Sequence, residues 1–300
     1  MEIQKITHCL PHGIDLHCRA AGETGRPLLL FLHGFPEGAF VWDEQLAHFS
    51  QAAHGGWRCV APFLRGYAPS STPPEVRDYR ARVLVQDLAA LIAAEAGPQG
   101  GAAAVVAHDW GGALAWNLAA LQPELVQRLM ILNAPHPGAF VRELQGNPAQ
   151  QRASDYMHFL CRPDAEALLA EQDFRRLEGF FARADGRLPE WFTPALRQRY
   201  HALWSAGLTG PCNYYRASPL RPQSAGDAPL AQLPPELLTV RVPTRVLWGL
   251  DDPALLPALL DGLEAWVPDL RVQPVPGASH WIVHEQPRVV QLALAGLLAG

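Results

Sequence analysis

The sequence predicts an α/β protein in which a mostly parallel central sheet is flanked by helices. Two observations support this fold class: short, continuously apolar runs alternate with helix-like segments, and the alternation stops in mid-chain and returns near the end. Continuous apolar runs are typical of parallel strands buried on both faces, and their alternation with helices indicates a sheet covered on both sides. We therefore expect one sheet domain that is interrupted by a helical insertion.

The first part of the chain carries four strand-like runs and two helical segments. The predicted strands are 28–32 (LLLFL), 57–61 (WRCVA), 103–107 (AAVVA) and 129–132 (LMIL). One predicted helix is 79–96, where apolar residues recur every three or four positions, and the other is 111–121, which stops before Pro123.

The middle of the chain has a different pattern from the two ends. Between about 137 and 235 helical stretches such as 165–181 follow one another, and Gly and Pro crowd 218–235. Beyond that point 244–248 and 271–275 are predicted strands, and 287–298 is a predicted final helix. The predicted organisation is a core of residues 1–136 and 236–300 that carries a helical cap of residues 137–235.

Composition limits the possible functions of the protein. The 300 residues are 49% apolar and 18% charged with a formal net charge of −5, which fits a globular chain without a basic face for nucleic acid or membrane. The five cysteines are odd in number and none has CxxC spacing, so we expect reduced thiols rather than disulfides or zinc. No apolar run has the length of a signal peptide core or membrane span, and we therefore expect a cytoplasmic protein.

The segment 107–112 (AHDWGG) lies between a predicted buried strand and a predicted helix. A nucleophile elbow needs small residues two positions before and after its nucleophile, because the strand turns sharply into the helix. Ala107 and Gly111 meet that requirement, and Asp109 occupies the nucleophile position. Asp109 would otherwise serve as an ordinary helix cap. The small flanking residues favour the elbow, since a cap does not require them.

Two backbone amides are predicted to form an oxyanion hole. The segment 33–36 (HGFP) follows the first buried strand directly, where hydrolases with such an elbow place one donor. The predicted donors are the N–H groups of Phe35 and of Trp110, the residue after the nucleophile.

An acid and a histidine complete the predicted catalytic set. Asp251 and Asp252 follow the strand 244–248, and the sequence alone leaves open which of them serves. His280 lies in the loop after the next strand. The chain order nucleophile, acid, histidine is that of hydrolases with a strand–elbow–helix nucleophile, so His280 is the predicted base.

Four motifs together resemble the α/β-hydrolase superfamily and, more narrowly, its epoxide hydrolase branch. They are HGFPE at 33–37, HDWGG at 108–112, LNAPHP at 132–137 and GASHW at 277–281. The resemblance implies an α/β-hydrolase fold whose helical cap is inserted after the sixth strand. It also implies that the acid is Asp252, because the family's acid opens a short apolar stretch that ends in Pro, here DPALLP.

The same resemblance implies a pair of cap tyrosines that hold the epoxide oxygen. SDYM at 154–157 and NYYR at 213–216 match the two tyrosine segments, so Tyr156 and Tyr215 are the expected pair. Each tyrosine taken alone would be a core aromatic of the cap. The reaction implied is hydrolysis of an apolar epoxide with water, without metal or organic cofactor, by a monomer or homodimer. The apolar substrate is also expected because the cap is rich in large apolar side chains, among them Phe180, Phe181, Trp191, Phe192, Leu203 and Trp204.

The sequence departs from the family pattern at three positions. Phe63 and Ala68 stand where relatives commonly have Asp and Gly, and Ala107 replaces a commoner Gly. Ala107 is still small, so we expect the elbow to persist. The loop around Arg65 is expected to differ locally without affecting the chemistry.

Two other functions compete with the epoxide reading. A haloalkane dehalogenase also uses an Asp nucleophile followed by Trp, but needs a second N–H donor for halide, for which Trp191 and Trp204 are the cap candidates. Phe35 stands where many dehalogenases carry Asn, and defluorinating relatives usually have Arg in place of Trp110. A non-catalytic binding protein with this fold would show a lost catalytic position. None is lost here.

Overall fold

The computed structural model describes residues 2–223, 233–235 and 238–300, and its centre is a sheet with eight strands in those ranges. The strand order is β1-β2-β4-β3-β5-β6-β7-β8. The strands are β1 Gln4–Cys9, β2 Asp15–Ala21, β3 Leu28–Leu32, β4 Arg58–Pro62, β5 Ala104–His108, β6 Leu129–Leu132, β7 Thr244–Gly249 and β8 Leu270–Val275. In this order all neighbouring strands from β4 to β8 pair in parallel, whereas the pairs β1–β2 and β2–β4 are antiparallel. The predicted α/β class is confirmed.

The six predicted strands all form, with ends that differ from the prediction by at most one residue. Strand β3 has no exposed residue along its whole length, as its LLLFL sequence predicts. The sequence analysis missed the antiparallel hairpin of β1 and β2. The reason is that β1, QKITHC, lies at the sheet edge with no fully buried residue, so it lacks the apolar run used as the criterion.

Helices pack on the sheet in two groups. Helices α1 (Asp43–Phe49) and α11 (Pro287–Leu298) contact each other, and α2 (Ala81–Ala96) contacts α3 (Asp109–Leu121). The prediction placed the start of α2 two residues early, because 76–79 forms a separate 3₁₀ turn. No helix in the described ranges is long and apolar enough to cross a membrane.

A run of helices lies between β6 and β7, as predicted for an insertion after the sixth strand. They are α4 Pro137–Gly146, α5 Pro148–Ala153, α6 Tyr156–Leu160, α7 Ala165–Phe181, α8 Pro194–Ser205 and α9 Thr209–Ala217, followed in the core by α10 Ile282–Glu285. Part of the Gly/Pro-rich stretch, 224–232, and the predicted core boundary at residue 236 lie outside the described residues. The domain bounds 1–136, 137–235 and 236–300 therefore stay a prediction. The helices inserted between β6 and β7 are called the cap from here on.

Helix α7 spans the predicted helical stretch 165–181, but residues with non-helical backbone angles interrupt it. Gln172, Asp173 and Phe174 have left-handed backbone angles, with φ of 51°, 56° and 62°. The ring of Phe174 packs against His201 and Trp204 of α8, with centroids 5.3 and 5.8 Å away. This tertiary contact is not encoded in helical periodicity.

Parallel strands place their carboxyl ends at one edge of the sheet. The segments that follow β3, β5, β6, β7 and β8 therefore meet there. All four sequence motifs begin in or just after one of these strands.

Candidate active site

Asp109 stands at the turn from β5 into α3. Its φ is 49°, a left-handed value that costs energy for a residue other than glycine and is often found at functional sites. The turn brings α3 against the end of β3, where a Cβ on Gly111 would lie 2.6 Å from the carbonyl oxygens of Leu32 and His33. A Cβ on Gly34 would lie 2.2 Å from Oδ1 of Asp109. Both glycines are therefore required for the close approach of backbone and carboxylate.

The Asp109 carboxylate faces two of the predicted partners. The N–H group of Phe35 donates a hydrogen bond to Oδ1 over 2.7 Å. Nε2 of His280 lies 3.6 Å from Oδ2. The side chain of Asp109 is 13% exposed, so a small molecule can reach it from the neighbouring cavity.

Asp252 holds His280 from the other side. Its Oδ2 lies 2.6 Å from Nδ1 of His280 and also accepts a hydrogen bond from Nδ2 of Asn133. Its Oδ1 accepts the N–H groups of Ala254 and Leu255. Burial alone would raise the pKa of Asp252, but the charge and hydrogen bond of His280 and these amides hold it below its ordinary value.

Asp251, the other candidate acid, lies outside this set of hydrogen bonds. It is exposed, and its backbone N–H donates to the carbonyl of Ala278. The residues alone left open which of the two acids serves, and the structure brings Asp252 to His280. Because an ionised carboxylate only accepts hydrogen bonds, Nδ1 of His280 carries a proton and Nε2 is the nitrogen that faces Asp109.

The pKa of His280 lies well above its ordinary value. Burial acts to lower it, but the charges and hydrogen bonds of Asp252 and Asp109 outweigh burial. His280 therefore stays protonated on both ring nitrogens as long as Asp252 and Asp109 carry their charges. Any change that removes the charge of Asp109 removes part of the reason for this high pKa.

Tyr156 and Tyr215 reach the same site from the cap. Tyr156 begins α6 and Tyr215 lies in α9, with ring centroids 6.0 Å apart. The ring of Tyr215 packs edge-on against Phe35 and Trp110 at 5.3 and 5.1 Å. Burial, with a contribution from the charge of Asp109, raises the pKa of both tyrosines, so their hydroxyls stay protonated and can donate.

Asp109, Trp110, Tyr156 and Tyr215 line one cavity of about 230 Å³. Asp109 is the only charged side chain among the described lining residues, and most of the wall is apolar, including Leu84, Leu114, Phe140, Met157, Leu220 and Leu255. The apolar cap residues singled out in the sequence mostly pack elsewhere. Phe181, for example, contacts Trp191, Phe192 and Tyr200. The cavity is apolar, but the sequence analysis did not identify the residues that make it so.

Sequence reasoning also missed the polar residues that support the site. Asn133, inside the LNAPHP motif, has a φ of 38° and binds both Asp252 and the backbone of Gly249. His33 donates from Nδ1 to the carbonyl of Gly34 and accepts the N–H of Leu64 at Nε2. Burial lowers the pKa of His33 to about 4, which keeps the ring in the neutral form that this pattern requires. The signal that the sequence offered was a polar residue directly after an apolar strand, as at His33 after β3 and Asn133 after β6.

Comparison with known proteins supports the same assignment. The family model described as alpha/beta hydrolase fold matches residues 27–287. The AB hydrolase superfamily protein YfhM of Bacillus subtilis is 36% identical over 93% of this chain and 92% of its own length. Epoxide hydrolase 3 of Xenopus tropicalis is 33% identical over 95% of this chain and 75% of its own length.

Solved structures give a similar result. An epoxide hydrolase of Bacillus megaterium in complex with an inhibitor is 32% identical, with a TM-score of 0.86 over 99% of this chain and 100% of its own. A structure from a set of novel epoxide hydrolases found in metagenomes from hot environments is 36% identical, with a TM-score of 0.85 over the whole of both chains, 100% of each. The chain belongs to the alpha/beta hydrolase fold family and, within it, to the epoxide hydrolases.

Proposed function

We propose that this protein hydrolyses a small apolar epoxide to a vicinal diol through a covalent ester on Asp109. The observation that carries the proposal is that one apolar cavity is lined by a carboxylate and by two protonated tyrosines. An epoxide needs a nucleophile at carbon and hydrogen-bond donors at oxygen at the same moment.

The first step forms the ester. A carboxylate oxygen of Asp109 attacks an epoxide carbon, the ring C–O bond breaks, and its electron pair moves to the ring oxygen. Tyr156 and Tyr215 donate hydrogen bonds to that oxygen, and one of them transfers its proton to it. Phe35 N–H binds the other oxygen of Asp109 in the free enzyme and keeps the carboxylate oriented.

The second step hydrolyses the ester. Once Asp109 is esterified its charge is gone, so the pKa of His280 falls. The Nε2 proton then passes through solvent to the tyrosinate left by the first step, and Nε2 becomes available as a base. His280 takes a proton from water, and the water oxygen attacks the Asp109 carbonyl carbon. The oxyanion forms against the N–H groups of Phe35 and Trp110.

Collapse of this intermediate completes the turnover. The ester C–O bond breaks, the departing alkoxide takes the proton of the new carboxyl group, and His280 keeps the proton taken from water, which restores the free enzyme. Asp252 keeps the imidazole in the correct tautomer throughout. The net reaction is epoxide plus water to diol, and no step calls for a metal or organic cofactor.

A haloalkane dehalogenase is the main alternative. It would need a second N–H donor for halide, yet Trp204 donates its indole N–H to the carbonyl of Pro36. The indole N–H of Trp191 has no partner among the described residues, but it is buried where the ring stacks on His284. Neither indole belongs to the described lining of the Asp109 cavity. These contacts favour the epoxide reaction over halide release. A non-catalytic binding protein is disfavoured because each candidate catalytic position is occupied.

The deciding experiment measures diol formation from styrene oxide and stilbene oxides, with halide release from bromoalkanes in parallel. We expect diol without halide. Halide without diol would overturn the roles given to Tyr156 and Tyr215. No product from either set, with folded protein, would favour the binding-protein alternative.

A single-turnover experiment in ¹⁸O-water tests the ester directly. With enzyme in excess, the new oxygen of the diol comes from Asp109, so we expect unlabelled diol and ¹⁸O in the peptide that contains Asp109. Label in the diol after one turnover would instead mean direct attack of water on the epoxide.

A further inference from the structure

A buried polar cluster lies behind the candidate site and has no part in the reaction proposed above. It consists of Glu37, His108, Tyr200 and His284. Glu37, His108 and Tyr200 are 0% exposed. Glu37 Oε1 lies 2.9 Å from the hydroxyl of Tyr200 and 2.8 Å from Nε2 of His284. Its Oε2 lies 3.0 Å from Nδ1 of His108.

The proton positions in this cluster follow from its acceptors. Nε2 of His108 lies 2.8 Å from the carbonyl oxygen of His280, and a carbonyl only accepts, so Nε2 carries a proton. The hydrogen bond between His108 Nδ1 and Glu37 Oε2 then needs one more proton. The net charge of the His108–Glu37 pair is zero whether the imidazole or the carboxylate holds that proton. Burial would raise the pKa of Glu37, but hydrogen bonds from His108 and His284 hold it well below its ordinary value. Glu37 is therefore a carboxylate on which three donors converge.

The cluster joins three of the segments that build the candidate site. Glu37 is two residues beyond Phe35, His108 is the residue before Asp109, and His284 is one helical turn beyond His280. The fourth member, Tyr200, lies in cap helix α8. One carboxylate thus holds the oxyanion loop, the nucleophile turn and the histidine loop in register, and ties them to the cap.

We propose that Tyr200, acting through Glu37 and His108, is a positioning residue for hydrolysis of the ester. This inference rests on the proposed epoxide function. The two groups that the cluster positions most directly are His280, through its carbonyl, and the Phe35 N–H, through the loop that carries Glu37. His280 acts only in the second step, whereas the Phe35 N–H also orients the Asp109 carboxylate in the first. Formation of the ester depends instead on the side chains of Asp109 and the two cavity tyrosines, and the hydrogen bonds described for the cluster reach none of these three side chains.

The variant Tyr200→Phe removes only the hydroxyl. We expect it to slow ester hydrolysis about tenfold, the effect of one lost hydrogen bond to a charged group. Because ester then accumulates, kcat and KM fall together and kcat/KM stays within about twofold of the wild-type value. Acid-quenched enzyme should carry the mass of the substrate at Asp109 in steady state. His284→Gln, which keeps an N–H donor, should resemble wild type, whereas His284→Leu should resemble Tyr200→Phe.

Arg199→Gln is the matched control. Arg199 is the neighbour of Tyr200 on α8 and pairs with Asp43 of the core, so its loss weakens cap docking without touching Glu37. We expect no accumulation of ester in this variant. If Arg199→Gln accumulates ester as Tyr200→Phe does, or if Tyr200→Phe lowers kcat/KM as much as kcat, the cluster is a general structural support and the proposal is overturned.

A substrate-free measurement separates this proposal from the proposed function. The proton between His280 Nδ1 and Asp252, across 2.6 Å, should give a far-downfield ¹H resonance. Tyr200→Phe should shift it and Arg199→Gln should not. A wild-type protein that forms neither ester nor diol would contradict the epoxide function, while an unshifted resonance in Tyr200→Phe would contradict the positioning role.

Discussion

The candidate site has two halves that are held in different ways. On the core side, Asp109, Asp252 and His280 are charged groups, each fixed by short hydrogen bonds to strand-end backbone or to one another. On the cap side, Tyr156 and Tyr215 are neutral and are positioned by edge-on ring contacts with their neighbours. Charged groups in a low-dielectric site need fixed partners, whereas burial of a neutral hydroxyl costs less free energy, so ring packing contributes more of its positioning.

The difference predicts how each half responds to substitution. Removal of a core group leaves its partner charged and unpaired, so the chemistry of one step stops. Removal of one cap hydroxyl leaves the second donor in place and slows the reaction by a smaller factor. The predictions below use this contrast, beginning with the core.

Asp109→Ala should have the largest effect. Without the nucleophile no ester forms, and we expect diol formation to fall by about 10⁴-fold or more. Product is measured by chromatography over hours at high enzyme concentration, with thermal unfolding and circular dichroism as the check on folding. Residual activity above about 1% of wild type in a folded variant would contradict the nucleophile assignment.

His280→Gln should stop the second step but spare the first. We expect multiple-turnover diol formation to fall by about 10³-fold or more, with one equivalent of substrate trapped on Asp109. Intact-protein mass spectrometry after brief exposure to substrate detects the adduct. Loss of activity without an adduct would mean that His280 is needed to form the ester, which the proposed mechanism excludes.

The contrast between the halves also explains what the sequence reveals. The core half follows from local rules: buried apolar runs mark β3, β5 and β7, and candidate site residues follow these strands at a shared edge. Asp109 and His280 could therefore be placed from motif and order alone. The choice between Asp251 and Asp252 could not be made from the residues, because both follow the same strand and only tertiary contact distinguishes them.

The cap half does not follow from local rules. A tyrosine in an aromatic-rich helix is usually part of the core, and only the resemblance to a family singled out Tyr156 and Tyr215. The edge hairpin of β1 and β2, the break in α7 and the Glu37 cluster were missed for a common reason. Each depends on contacts between residues far apart in the chain, as when Tyr200 meets Glu37.

The cap tyrosines should act as a pair. Tyr156→Phe or Tyr215→Phe alone should slow ester formation by about 10²-fold, the typical effect of one lost oxyanion donor, and the double variant should lose far more. Stopped-flow tryptophan fluorescence under single-turnover conditions measures this step. Tyr200→Phe is the matched control, since it removes a buried hydroxyl that does not line the cavity. Equal effects of the single and double variants would contradict shared donation.

The pH dependence should differ between the free enzyme and the ester. The pKa of His280 is raised in the free enzyme partly by Asp109, and esterification removes that charge. Hydrolysis needs unprotonated His280, so its rate should fall about tenfold per pH unit below the pKa of the ester form. Single-turnover decay of the ester should give a lower pKa than an NMR titration of His280 in free enzyme. Equal values would mean that Asp109 has no electrostatic influence on His280.

Asp251→Asn should have the smallest effect. It tests which of Asp251 and Asp252 is the acid that orients His280. Asp251 is exposed, while Asp252 is buried against His280, although the two are adjacent and chemically identical. We expect Asp251→Asn to keep kcat within about twofold, because exposed charges contribute little at this distance. Asp252→Asn, the same change one residue away, should disturb the tautomer of His280 and slow ester hydrolysis by orders of magnitude. Comparable losses in the two variants would show that Asp251 is needed as much as Asp252, and that the hydrogen bond to His280 does not distinguish the two acids.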